Sequence, residues 1–157
     1  MIYFSSSAAY PIRVQKIGSD TRLSEDMINT SNPDMDIGFP DLTYGFSKLT
    51  GEYLALLSHK HHGLDVTVYR PMSIYGEDQD AVYPFRSILE KARARLDPIE
   101  IWSDGHRDFL YVEDALDCVF ASLTSSSNGD PINLATGVAT NFSSLAREMA
   151  RQYDYAP

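Results

Sequence analysis

The feature that most constrains the fold is a regular alternation of short apolar segments with longer segments of helical periodicity. In residues 44–62 apolar side chains recur at the spacing of an amphipathic helix, and Gly63 is a natural helix stop. The segment Asp65–Arg70 instead alternates as a strand does. Because strand and helix segments follow each other along the chain, we predict an α/β fold with a mostly parallel sheet.

The same patterns predict the remaining elements. The predicted strands cover 2–4, 65–70, 99–102 and 132–134, and the predicted helices cover 44–62, 84–97, 113–123 and 142–152. We expect 71–80 to be a loop. The polar stretch 11–43 is rich in aspartates and turn-forming residues, which predicts a solvated surface loop, with a lid over a substrate as the alternative. Cys118 lies among apolar residues of a predicted helix and is expected in the core.

Length, charge and cysteine content narrow the classes of function. The chain has 157 residues, enough to bury a core, and its formal net charge of -9 disfavours nucleic acid, which needs a basic surface. A small phosphorylated ligand needs only local cations and stays possible. Cys118 is the only cysteine, which fits a cytoplasmic protein without an intrachain disulfide. The chain has no apolar run near the roughly 20 residues of a membrane span and no basic segment typical of a signal peptide, so we expect no membrane partner.

Two short segments carry the residues with the clearest chemistry. Tyr44 and Lys48 are four residues apart in a predicted helix and therefore share a face. A neighbouring ammonium favours phenolate over phenol, and a phenolate can act as a general base toward an alcohol. A hydroxyl from the run Ser5–Ser7 can hydrogen-bond the same substrate oxygen. The spacing alone is a weak signal, because an aromatic residue beside a solvated lysine is the plainer interpretation.

The order of several motifs strengthens the functional interpretation. The informative segments are Tyr3–Tyr10, Tyr44–Lys48, Arg70–Gly76, Gly105–Ala115 and Ile132–Gly137. In this order they make the chain resemble the extended short-chain dehydrogenase/reductase family, in its nucleotide-sugar epimerase/dehydratase branch. The resemblance implies a partial Rossmann-like, mostly parallel sheet with helices, joined to part of a small α/β substrate-binding region.

The resemblance also implies catalytic and cofactor-binding roles. Tyr44 is the expected general base, and Lys48 is expected to orient it and to contact the cofactor ribose. Ser6 falls on the family's catalytic Ser/Thr position, and Ser7 could replace it if the loop is shifted by one residue. Pro71–Met72 stand where the family contacts the nicotinamide amide. The implied cofactor is NAD or NADP, with NAD favoured.

A second group of residues is assigned to the substrate, which the resemblance implies to be a nucleotide-diphosphate sugar. Arg107 stands where the family binds the diphosphate, for which a planar guanidinium is well suited, although a surface cation is the alternative. Ser73 stands where the family often has an asparagine that contacts the substrate, and Ser7 is the third candidate. Arg70 is either a motif residue or a strand-end cation, and Tyr75 is either a motif residue or a packing residue.

Departures from the family pattern narrow the expected reaction. Dehydratases of this family carry an acidic pair directly after the catalytic Ser/Thr, where this chain has Ser7 and Ala8. Decarboxylating relatives keep a glutamate at the position of Ala8, and epimerase-reductases that invert carbons beside a keto group use a cysteine there. The resemblance therefore favours a 4-epimerase, ketoreductase or dehydrogenase over a dehydratase.

Part of the family pattern is missing from the sequence. Residues 1–82 are expected to form the C-terminal part of a Rossmann-type NAD(P)-binding domain, and 83–157 a partial substrate-binding region with returning Rossmann elements. The N-terminal Gly-rich cofactor half is expected to be absent, since no two of the nine glycines are close enough to form its phosphate-binding turn. The strand at Ile2 would then leave an open sheet edge. A catalytically incompetent fragment with a nucleotide-sugar-binding surface, or one half of a split enzyme completed by a second chain, is the alternative. A homodimer is also possible.

No metal site is expected. His59, His61 and His62 lie near the end of a predicted helix, where exposed cations are favoured by the helix dipole.

Overall fold

A computed structural model describes residues 1–15, 21–28, 38–124 and 127–157. Asp20, Asp34 and Asp36 of the acidic stretch lie outside the described residues. The strands are β1 (Ile2–Phe4), β2 (Thr67–Pro71), β3 (Ser73–Tyr75), β4 (His106–Arg107), β5 (Phe109–Tyr111), β6 (Pro131–Leu134) and β7 (Thr140–Asn141). The α-helices are α1 (Tyr44–His62), α2 (Pro84–Arg93), α3 (Val112–Ser122) and α4 (Phe142–Gln152).

The main sheet is parallel and has the strand order β1-β2-β6, which confirms the predicted α/β class. β2 is central, and alternate side chains of its segment face opposite layers. Val66 and Val68 pack with Ala55 of α1, whereas Tyr69 packs with Ala115 of α3. A helix therefore covers each face of the sheet, as parallel sheets require.

Helix α1 begins and ends as the sequence predicts. Asp41 caps its first turn by accepting hydrogen bonds from Thr43 N at 3.1 Å and from Gly45 N at 2.7 Å. At the other end Gly63 adopts a left-handed φ of 65° and donates its N–H to His59 O at 2.9 Å. These two signals fix the length of the helix that carries Tyr44 and Lys48.

Two glycines bring α1 unusually close to the chain around β1. A Cβ at Gly45 would overlap the carbonyl oxygen of Ala8, and a Cβ at Gly51 would overlap the hydroxyl of Tyr3. Only glycine permits so close an approach of the helix to this strand and to the residues that follow it.

The rest of the chain forms two small sheets beside the main one. β3 pairs in parallel with β5, and β4 pairs with β7 as a short antiparallel ribbon, which we call the ribbon. Helices α2 and α4 pack through Ile88, Phe142 and Met149. None of the helices among the described residues combines the length and apolar character needed to cross a bilayer.

Four predictions about local structure are wrong. The helix predicted over 84–97 ends at Arg93. The expected loop 71–80 contains β3, because its backbone pairs with β5 further along the chain. The expected strand 99–102 is irregular: Ile99 and Ile101 pack against the α2–α4 cluster without joining a ladder. Cys118 is exposed, because Ala115 and Val119 occupy the inward face of α3.

The described part of the stretch 11–43 is more ordered than a solvated loop. Ile28 is fully buried beside Tyr10 and Leu49. Glu25 Oε1 accepts the backbone N–H of Asn133 in β6 at 2.8 Å, and Leu23 O accepts from the Asn133 amide at 3.0 Å. This segment therefore packs against the carboxyl end of the main sheet.

Candidate active site

The predicted catalytic residues lie on elements that end or begin at the carboxyl end of the parallel sheet. Ser6 follows β1, Met72 follows β2, and Tyr44 is the first residue of α1. Ligands of open α/β sheets bind at this end of the strands.

Tyr44 and Lys48 lie on one face of α1, as their spacing predicts. The Lys48 ammonium is 5.4 Å from the centre of the Tyr44 ring and donates a hydrogen bond to Phe4 O at 2.9 Å. The Tyr44 side chain is 53% exposed, so its phenol is accessible to a ligand. The pair thus combines an accessible phenol with a cation fixed by the end of β1.

A second phenol near Lys48 is poorly suited to be the base. The Lys48 ammonium is 5.8 Å from the centre of the Tyr3 ring, but the Tyr3 hydroxyl donates to the carbonyl of Lys48 at 3.3 Å. Burial raises the pKa of Tyr3, and the negative charge of Glu52 raises it further. Both effects disfavour the phenolate form of Tyr3, and Tyr44 is the exposed member of the two.

Ser6 and Ser7 lie in a tight turn beside the start of α1. Ser7–Ala9 form a short 3-10 helix, and Ser6 Oγ caps it by accepting Ala8 N–H at 3.1 Å. We call Ser5–Tyr10 the Ser6 turn. The close approach at Gly45 brings the first turn of α1 against the Ala8 carbonyl. The geometry thus brings together the turn that holds Ser6 and the helix that holds Tyr44.

A buried ion pair lies directly behind these residues. Glu52 on α1 is 2% exposed, and Arg70 on β2 is fully buried. Arg70 donates to Glu52 through Nε at 2.9 Å and through Nη2 at 2.6 Å, and Ser5 Oγ donates to Glu52 Oε1. Burial alone would lower the pKa of Arg70, but its hydrogen bonds and charge interaction with Glu52 raise it above the usual value.

Sequence reasoning missed this cluster. The sequence patterns allow Arg70 to be either a motif residue or a strand-end cation, and they predict no role for Glu52. One available signal was that Tyr44, Lys48 and Glu52 are spaced four residues apart, which places a carboxylate on the face of α1 that bears the candidate base.

The predicted substrate-binding residues follow β2 and lie near the ribbon. Met72 N donates to Leu134 O at 3.0 Å, and Ser73 N donates to Asp108 O at 2.9 Å. Arg107 precedes Asp108 directly, so Ser73 and Arg107 lie on adjacent segments. Arg107 is exposed, and its Nη1 donates to His106 O at 2.8 Å. Among the described residues, the guanidinium of Arg107 forms no hydrogen bond or ring contact with Tyr44 or Lys48.

Other candidates have structural contacts. Tyr75 stacks on Phe85 with ring centres 3.8 Å apart. His61 and His62 are exposed, and the ring of His59 is 2.9 Å from Leu64 O. Within the described ranges no group of three or more potential ligands could hold a metal ion.

The residues present fit only part of a nicotinamide dinucleotide. The Lys48 donor and the end of β2 at Pro71 and Met72 are suited to the nicotinamide-ribose end. The pyrophosphate end normally requires a Gly-rich turn before a helix, and the sequence contains none.

A serine turn and an exposed tyrosine–lysine pair at the carboxyl end of a parallel sheet define a class of Rossmann-like α/β protein. Within that class, the chain belongs to the NAD dependent epimerase/dehydratase family, which matches residues 1–135.

Individual relatives carry several activities. A dTDP-4-dehydro-6-deoxy-D-allose reductase of Streptomyces bikiniensis is 36% identical over 118 residues, which are 69% of this chain and 35% of the relative. The structure of dTDP-glucose 4,6-dehydratase from Bacillus anthracis with NAD has a TM-score of 0.78 at 19% identity and covers 97% of this chain and 45% of its own. The structure of UDP-glucuronic acid 4-epimerase from Bacillus cereus with UDP-glucuronic acid and NAD has a TM-score of 0.77 at 24% identity. The match covers 99% of this chain and 46% of the epimerase.

These comparisons confirm the fold and the family and leave the reaction subtype open. The chain spans about a third of the length of the first curated relatives, 34% and 35%.

Proposed function

We propose that this chain supplies the proton-transfer residues of an NAD(P)-dependent enzyme that acts on a nucleotide-diphosphate sugar. The observation that carries the proposal is the Lys48 ammonium 5.4 Å from the ring of a half-exposed Tyr44. In general, an ammonium close to a phenol favours the phenolate form, and the phenolate is the form able to take a hydroxyl proton.

Each residue has a distinct part in the reaction. The phenolate of Tyr44 accepts the proton of the sugar hydroxyl, while Lys48 stabilises the negative charge before that transfer. The Ser6 hydroxyl hydrogen-bonds the same sugar oxygen and stabilises charge that develops on it. The nicotinamide cofactor, when bound, supplies the hydride acceptor. Pro71 and Met72 line the nicotinamide, with NAD favoured over NADP.

The substrate residues complete the proposal. Arg107 binds the diphosphate through its guanidinium, and Ser73 and Ser7 contact the sugar. In this assignment residues 1–82 carry the catalytic part and 83–157 the substrate-binding part.

The proposed reaction is of the 4-epimerase, ketoreductase or dehydrogenase type. The resemblance implies that dehydratases of this family carry an acidic pair directly after the catalytic serine or threonine. Ser7 and Ala8, which follow Ser6, have no side chain that can serve as an acid or base at neutral pH.

Replacing Tyr44→Phe tests the proposal. We expect turnover of a UDP-sugar with NAD, followed by product chromatography, to fall by about 10²- to 10⁴-fold, because a general base is lost. Tyr53→Phe is the matched control, since Tyr53 is on the same helix and is 49% exposed. Unchanged turnover in Tyr44→Phe would remove Tyr44 from the mechanism.

A second candidate is one half of a split enzyme, or a non-catalytic sugar-nucleotide-binding remnant. It is favoured by the edge of β1, which among the described residues pairs only with β2 and leaves Ile2 and Phe4 exposed at 38% and 45%. Leu123 of the segment after α3 lines a shallow hollow beside Ile2 and Tyr69. An unpaired apolar edge is suited to a partner strand.

Titration of the purified chain with NAD and then with a UDP-sugar separates these candidates. Binding of both ligands with turnover supports the first. Binding of the sugar nucleotide without NAD supports the remnant, and NAD binding that appears only with a second chain supports the split enzyme.

A further inference from the structure

Resting on the proposed function, we propose that Ser5, Glu52 and Arg70 are positioning residues. They fix the Ser6 turn against the face of α1 that bears Tyr44 and Lys48. The proposal adds three side chains that contact neither the substrate nor the cofactor.

The first step of the argument is the bond from the turn to the helix. The Ser5 hydroxyl donates to Glu52 Oε1, and Ser5 directly precedes Ser6. Glu52 lies one helical turn after Lys48, so a single helix carries the candidate base, its cation and the acceptor for the serine turn. The position of Ser6 relative to Tyr44 is therefore set through α1 itself.

The second step is that the same ion pair holds both ends of the turn. At the start, Ser5 is bonded to Glu52. At the end, the ring of Tyr10 lies under the Arg70 guanidinium, 4.7 Å from ring centre to Cζ. Arg70 also donates through Nη2 to Ile28 O at 3.1 Å, which joins the packed segment 21–28 to the same group.

The third step concerns Lys48. In this structure its ammonium donates to Phe4 O, which gives the chain before Ser6 a second bond to α1. In the proposed reaction Lys48 also contacts the cofactor ribose. The Ser5–Glu52 bond does not involve Lys48, so it holds the Ser6 turn when the ammonium is engaged elsewhere.

Stability alone is a weak reason for this cluster. Removing two charges from water costs about as much as their attraction returns, and buried ion pairs can often be replaced by apolar residues without loss. This buried pair also accepts a hydrogen bond from Ser5, which directly precedes Ser6. A hydrogen bond fixes the direction of approach of the turn, which apolar packing does not do.

The Ser5→Ala variant tests the inference, because it removes the bond to the turn and keeps the Glu52–Arg70 pair. We expect kcat to fall by about 10- to 100-fold with KM unchanged, since displacement of a reacting group by about 1 Å costs that much. We also expect amide hydrogen exchange at Ala9 and Tyr10, which donate to Ser6 O and Ser7 O, to accelerate about tenfold.

Ser58→Ala is the matched control. Its hydroxyl donates to Leu54 O at 2.8 Å near the far end of the same helix, and its loss should change neither quantity. Faster exchange in Ser5→Ala with normal kcat would overturn the inference by showing a structural role only. Unchanged exchange would overturn it as well.

The double variant Glu52→Leu with Arg70→Met guards against misfolding of single variants, since it leaves no unpaired buried charge. A folded double variant with low kcat and normal KM supports positioning, and one with normal kcat overturns it. If the unaltered chain has no turnover, the proposed function fails. The exchange rates of Ala9 and Tyr10 would still decide whether the Ser5–Glu52 bond fixes the turn.

Discussion

The Ser6 turn and the ribbon place two kinds of candidate site residue in contrasting surroundings. Around the Ser6 turn, Glu52 and Arg70 are almost fully buried and join α1, β2 and the turn. In the ribbon, Arg107 is exposed on a two-residue strand, and its guanidinium donates to the carbonyl of the preceding residue, His106.

In the proposed function the Ser6 turn belongs to proton transfer and the ribbon to substrate binding, and these two tasks differ in the support that they need. A general base and its partners must be within tenths of an ångström of a productive geometry before the substrate arrives, which requires buried support. A side chain that binds a diphosphate can instead become ordered when the ligand binds. This ordering costs the side chain some of its rotamer freedom. Of these two regions, the Ser6 turn is the one that a buried ion pair supports among the described residues.

The largest difference is expected from removing one buried charge. Arg70→Met leaves the Glu52 carboxylate buried without its partner, and we expect the free energy of unfolding to fall by about 3–5 kcal/mol. Arg151→Met is the control, because the Arg151–Glu148 pair is exposed and its loss should cost less than about 1 kcal/mol. Denaturant unfolding of both variants measures the difference. Equal losses would show that the buried pair is no more important than a surface pair.

A smaller difference is expected at two buried glycines. An alanine Cβ at Gly45 would overlap the Ala8 carbonyl oxygen, so we expect a net loss of about 2 kcal/mol from overpacking. At Gly105, before the ribbon, the nearest atom to such a Cβ is 3.6 Å away, and we expect a change within about 0.5 kcal/mol. Thermal unfolding of the two alanine variants provides the comparison. A tolerated Gly45→Ala would mean that α1 can move away from the Ser6 turn.

The same contrast explains which features the sequence predicts. Local signals were sufficient to predict α1, because its periodicity lies within the helix and Gly63 follows it directly, and to predict α4 over 142–152. Local signals also predict that the side chains of Tyr44 and Lys48 share a face of α1, because positions four apart in a helix are neighbours. The proposed catalytic roles of these residues stay predictions.

Features that depend on distant partners were not predictable in this way. β3 exists because residues 73–75 pair with 109–111, and the segment 99–102 fails to be a strand because its apolar residues pack on helices instead. Glu52 joins Arg70 across 18 positions and Ser5 across 47. Periodicity within one element contains no information about such pairs. It shows only that Glu52 shares a face of α1 with Tyr44 and Lys48.

The smallest effect is expected from two aspartates that cap helices, one in each region. Asp41 accepts hydrogen bonds at the start of α1, and Asp104 accepts Ser143 N at 2.9 Å at the start of α4. Hydrogen bonds from the Thr43 side chain and from the Gly45 and Thr43 backbone lower the pKa of Asp41, and hydrogen bonds from Ser143 lower that of Asp104. A carboxylate with a lowered pKa in the folded state stabilises the fold above its unfolded pKa, and loses that contribution as pH falls through the folded value.

Melting temperatures of Asp41→Asn and Asp104→Asn, measured against pH, test this effect. The deficit of each variant should be constant above about pH 5 and should shrink below about pH 4, because asparagine does not titrate. Asp104 is exposed and Asp41 is half-buried, but solvent screens both carboxylates, so their pH profiles should be alike even though Asp41 adjoins the Ser6 turn and Asp104 adjoins the ribbon. A deficit that grows on acidification would contradict the sign. A profile seen only for Asp41 would mean that the contrast between the regions extends to their exposed charges, instead of being confined to the buried Glu52–Arg70 pair.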